Sequence, residues 1–94
     1  MIDRAKLAAA VALAERLEVL DMSDYDTQLG WLSLWGLHMN PDLIRALAVQ
    51  IADPRIKRDD RYVDIHGTIG GVPVRLCWPY NLPDAPLTVQ EVLP

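Results

Sequence analysis

The chain has 94 residues, 51% of them hydrophobic, a formal net charge of −4 and a single cysteine. That length makes one small domain, residues 1–94, with a modest core, and the hydrophobic share excludes a disordered chain. The mild acidity is too weak for a nucleic-acid mimic and lends no general affinity for nucleic acid, while one thiol excludes an intrachain disulfide and suits a reducing compartment.

Residues 3–20 are predicted to form an amphipathic helix. At about 100° per residue, Leu7, Ala10, Leu13, Ala14, Leu17 and Leu20 share one arc, with Arg4, Glu15, Arg16 and Glu18 opposite. Asp3 is placed to cap its start. Lys6 before an alanine-rich run, with the small-residue spacing of Ala12-Leu13-Ala14, has features of a secretion signal. The apolar run is short, however, and Asp3 stands where such signals are basic, so the segment reads as a cytoplasmic helix. No stretch is long and uncharged enough for a membrane span.

Residues 21–26 read as a turn, with Ser23 and Asp26 as a capping-box variant opening a second helix. Residues 24–38 are expected to be helical, with a strand as the alternative, because Leu29, Trp31, Leu32, Leu34, Trp35 and Leu37 leave almost no polar side. In a helix, Trp31, Trp35 and His38 would form one stripe. Tryptophan is over-represented at binding hot spots, so the stripe is a candidate partner surface as well as candidate core. An apolar surplus of this size in so small a domain also suggests a homodimer.

Asn40-Pro41 is a cap followed by proline at the first helical position, and residues 41–52 are predicted as a third helix with Leu43, Ile44, Leu47, Ala48 and Ile51 on one side. Asp53-Pro54 ends it. A basic stretch follows, with Arg55, Lys57, Arg58 and Arg61.

The run from Arg61 to Trp78 reads as two strands about a Gly70-Gly71 turn, since a two-glycine loop suits the primed turns. In that register Ile69 faces Val72, Gly67 faces Val74, Ile65 faces Leu76 and Val63 faces Trp78, all on one apolar side. The opposite side pairs Thr68 with Pro73, His66 with Arg75, Asp64 with Cys77 and Tyr62 with Pro79. Pro73 turns its nitrogen away from the partner strand, costing no ladder bond, and is expected to blunt the outer edge of the second strand. The proline-containing residues 80–94 suit a short strand, a helical turn or an extended arm. The economical architecture is α+β, with three helical segments packed on a two- or three-stranded antiparallel hairpin sheet.

Catalytic chemistry is not indicated. Asp64, His66 and Arg75 could do acid–base work, but no nucleophile lies on a recognisable turn, and cross-strand pairing on a solvated face explains them as well. His38, His66 and Cys77 lack ligand-like spacing, so neither a metal nor another cofactor is expected. The order of helices and hairpin also matches a winged helix–turn–helix DNA-binding regulator. In that alternative Arg45 and Gln50 would lie on the recognition helix, and Arg55, Lys57, Arg58 and Arg61 would meet phosphates. The net negative charge, the uncharged hairpin tip and the scarcity of basic residues on the helix weigh against it.

The run Asp64-Ile-His-Gly-Thr-Ile-Gly-Gly-Val-Pro-Val-Arg75 resembles a hairpin common in small uncharacterised proteins of actinobacteria and their phages. Those chains similarly place an alanine-rich helical region before a His-Gly-Thr…Gly-Val-Pro-Val ribbon. The likeness covers roughly residues 60–78 and carries over no functional residue. It implies a setting: a phage or prophage accessory gene acting in a host cytoplasm. The expectation is thus a non-enzymatic protein that binds another protein, as an inhibitor of a host factor or defence system or as an assembly component. Its contact residues would be Trp31, Trp35 and His38, or Asp64, His66 and Arg75.

Overall fold

The computed structural model describes residues 3–58 and 62–79. Among these residues, two helices, α1 (Arg4–Arg16) and α2 (Pro41–Ala48), accompany five strands: β1 (Ser23–Asp26), β2 (Trp31–Trp35), β3 (Ala52–Arg58), β4 (Tyr62–Ile69) and β5 (Val72–Pro79). Single turns of 3-10 helix precede β1 and follow β2. The strands form one mixed sheet in the order β1-β2-β5-β4-β3. The architecture is α+β, as expected, but the expected three helical segments on a hairpin sheet are replaced by two helices on five strands.

The hairpin register is the one read from the sequence, from Ile69 opposite Val72 out to Tyr62 opposite Pro79. Gly70 and Gly71 adopt φ of 58° and 82°, the left-handed values a primed turn demands. What lies around the hairpin differs. β3 pairs antiparallel with β4, and β2 pairs parallel with β5. The second hairpin strand is therefore central, and Pro73 guards no outer edge. Its nitrogen, turned from β4, faces β2, where pairing begins one residue later with Val74 opposite Leu32.

Residues 24–38 are the main correction. β1 and β2 form a second hairpin, closed by Asp26 opposite Trp31. Asp26 caps no helix; its Oδ1 accepts from the backbone N–H groups of Gln28 and Leu29 at 2.9 and 2.8 Å, shaping the turn. Ser23 likewise starts a strand, and its hydroxyl donates back to the Leu20 carbonyl. In β2, Leu32 and Leu34 point to the core while Trp31, Ser33 and Trp35 point to the other side, so the segment shows no polar face. Gly36 follows immediately because a Cβ there would collide with the Cys77 carbonyl oxygen.

Both helices begin as expected. Asp3 accepts from the N–H groups of Ala5 and Lys6, and Asn40 accepts from that of Leu43, with Pro41 in the first turn. Both end earlier than the apolar pattern suggests. α1 closes in a Schellman motif, with Val19 N–H on Ala14 C=O and Glu18 N–H on Glu15 C=O. That turn drives Val19 into the core and leaves Leu20 half exposed. α2 stops at Ala48, and Ile51 still packs inward before β3 begins.

Both helices cover one face of the sheet. Ala10, Leu13 and Ala14 of α1 and Ile44, Leu47 and Ala48 of α2 join Leu32, Leu34, Val63, Ile65, Ile69, Val74, Leu76 and Trp78 in a single core cluster. Every large apolar side chain assigned to the inner face of the β4–β5 hairpin is buried there except Val72, which is half-buried at its margin. Cys77, on the opposite face of β5, has no exposed surface. The conformation of residues 80–94 lies outside the described residues.

Candidate binding surface

Among the described residues no helix covers the second face of the sheet, which is built by strand alternation. β2 contributes Trp31, Ser33 and Trp35; β5 contributes Pro73, Arg75 and Cys77; β4 contributes Asp64, His66 and Thr68; β3 contributes Arg55 and Lys57. The ladders align them in rows. Ser33 lies beside Arg75, Arg75 beside His66, and His66 beside Arg55. Trp35 lies beside Cys77, Cys77 beside Asp64, and Asp64 beside Lys57.

Three contacts tie these rows together. The Arg75 guanidinium donates from Nη2 to Asp64 Oδ2 at 3.1 Å and lies 5.5 Å from the centre of the Trp35 ring. Trp31 reaches across β5 to meet His66 edge-on, with ring centroids 4.8 Å apart and an interplanar angle of 63°. Such aromatic and cation–π contacts hold side chains in place at about 0.5–1.5 kcal/mol each. Asp64 is buried rather than solvated, and its second carboxylate oxygen is out of reach of water with no hydrogen-bond partner. The indole N–H of Trp31 is in the same condition.

Burial holds the His66 imidazole below its ordinary pKa. The nearby charges of Arg75 and Lys57 act in the same direction, and Asp64 opposes them. His66 is therefore a neutral ring at neutral pH, suited to stacking and hydrogen bonding rather than to holding a charge. Beside it a groove of about 850 Å³ opens between Trp31 and β3, lined by His66, Thr68 and Pro73 and rimmed by Asp53, Arg55 and Lys57. The groove is open and has an apolar floor, a form suited to a bound chain or ring system.

The two residue sets read separately from the sequence merge here. Trp31 and Trp35 come from a strand rather than a helix, yet they share a face with Asp64, His66 and Arg75. His38 does not join them; it sits exposed in the 3-10 turn after β2. Among the described residues the winged-helix arrangement is absent: two strands and two 3-10 turns separate α1 from α2, where a helix–turn–helix needs two helices joined by a short turn, and the supposed wing is the middle of a sheet. Arg45 lies half-buried on α2, and Gln50, just beyond it, donates from its side chain to the Ala46 carbonyl. Arg55 and Lys57 stand on the groove rim, Arg58 ends β3, and Arg61 lies outside the described residues. Sequence reasoning missed Ser33, Thr68 and Asp53. Ser33, between two leucines in Trp31-Leu-Ser-Leu-Trp35, is the strand's one polar residue and is too little to mark its second side.

Among the described residues, no cluster of histidine, cysteine, aspartate or glutamate could hold a metal ion, and no helix is long and apolar enough to cross a membrane. No protein-family model matches the chain, and comparison with curated proteins and with solved structures gives no match.

Proposed function

We propose that this protein is a non-enzymatic accessory protein of phage or prophage type that works by binding another protein, and that the helix-free sheet face is its contact surface. The observation that carries this reading is the convergence of Trp31, Trp35, His66, Arg75 and Asp64 on one face beside an open groove. Hot spots of protein interfaces are enriched in tryptophan, tyrosine and arginine: the aromatics bury much area at little conformational cost, and the guanidinium makes several directed hydrogen bonds. Here the rings are held by neighbours before any partner arrives, which lowers the ordering cost of association. The resemblance of residues 60–78 to actinobacterial and phage hairpins supports the setting in a host cytoplasm.

The reading is tested by capture from a host lysate on immobilised protein, with nuclease-treated lysate alongside. The wild type is expected to retain a protein that survives nuclease treatment. Trp31→Ala and Trp35→Ala are expected to lose it while still unfolding cooperatively. If both variants fail to fold, the tryptophans belong to the core and this surface is withdrawn. Retention only of material that nuclease removes would point to nucleic acid instead.

A further inference from the structure

We propose that the two edges of the sheet are complementary, so that β1 of one copy pairs antiparallel with β3 of a second copy and the sheet continues from molecule to molecule. Among the described residues these are the outer strands. Their sequences are opposite in charge: Ser23-Asp-Tyr-Asp26 on one side and Arg55-Ile-Lys-Arg58 on the other.

Backbone parity narrows the register, and the pairing of opposite charges selects one of those it allows. Ile69 and Val72 close the β4–β5 turn as a hydrogen-bonded pair, so even-numbered residues of β4 present their N–H and C=O groups to β3. Their partners Arg55 and Lys57 therefore bond inward, and Ile56 and Arg58 present theirs to the free edge. The same count through β5 and β2 makes Asp24 and Asp26 bond inward and leaves Ser23 and Tyr25 facing out. Pairing outward groups, Tyr25 opposite Ile56, then sets Asp24 opposite Lys57 and Asp26 opposite Arg55.

Direction and facing agree with that register. β5 runs parallel to β2 and antiparallel to β4, so β1 and β3 run in opposite senses within one molecule. A second copy added in the same orientation consequently meets the first with an antiparallel pair. Asp24, Lys57, Asp26 and Arg55 all lie on the helix-free face. Tyr25 and Ile56 both lie on the helix side, each half-buried at the margin of the core, where the junction would cover them. Like-charged edges repel, which disfavours β1 on β1 and β3 on β3 and leaves the head-to-tail pairing. Two different patches meeting this way generate open chains or rings rather than a symmetric dimer.

Sedimentation velocity of the whole protein over a concentration series tests this. The wild type is expected to form species larger than a dimer at low ionic strength and to dissociate as salt is raised. Asp24→Lys and Lys57→Glu should each lower the association constant by about tenfold or more. An equimolar mixture of the two should associate again, because each variant then meets an opposite charge on both edges. A wild type that stays monomeric at the highest concentration and lowest salt overturns the proposal. So does a discrete dimer, or self-association that neither variant weakens. Lys57 stands opposite Asp64, so thermal melts accompany the series; if Lys57→Glu does not fold, Asp24→Lys alone decides.

Discussion

Glu18 holds a φ of 59°, a left-handed conformation that disfavours any side chain, and does so at the position where a Schellman motif usually carries glycine. Its side chain is exposed and the backbone bonds around it need no Cβ. Glu18→Gly should therefore stabilise the fold by about 1 kcal/mol, partly offset by the greater freedom of glycine in the unfolded chain. Denaturant titration checks this; an unchanged or lower midpoint would mean the motif carries no strain. His66 makes a second prediction. Its folded pKa lies below the unfolded value, so the unfolded chain takes up the proton first on acidification. The contribution is complete above the unfolded pKa of about 6.5 and is lost as pH falls through the folded value. His66→Gln should flatten the dependence of stability on pH in that window, read from melts in a series of buffers.

At the scale of elements, β2 separates what the sequence discloses from what it conceals. The β4–β5 register was legible because aliphatic residues recur every second position on both sides of a turn that only glycines suit. The helix starts were legible because Asp3 and Asn40-Pro41 are chemically specific caps. A central strand flanked by leucines on one face and tryptophans on the other has no period to detect, so residues 24–38 resemble an apolar helix. The parallel pairing of β2 with β5 joins segments remote in sequence and leaves no local trace. For the same reason the grouping of Asp64, His66 and Arg75 could be read from the ladder, but their union with Trp31 and Trp35 could not. α1 overran because Glu18 stands where glycine would have marked the end. The two-sided strand has a measurable consequence. Leu34→Ala, emptying a site with no exposed surface, should cost about 3–5 kcal/mol, while Trp35→Ala on the half-exposed face should cost about 1–2 kcal/mol. Comparable losses at both positions would contradict the alternation.

At the scale of the whole molecule, both helices bury their apolar surface on one side of the sheet, and among the described residues β1 and β3 form its two margins. The acidic net charge conceals this division, since Arg55 and Lys57 lie together on one margin while Asp24 and Asp26 lie on the far one. Cys77 provides a way to watch the assembly of the fold from within. It is the chain's only thiol, sits in the middle strand and is wholly covered. Neither β2 nor β4 can be lost from β5 without disturbing its surroundings, so a disulfide-exchange reagent should modify it only during openings that reach the centre of the sheet. Under conditions where closing outruns the reagent, the labelling rate should give an opening free energy equal to that from denaturant titration. Faster labelling would reveal that the middle of the sheet breathes without the rest, turning one sulfur atom into a gauge of cooperativity.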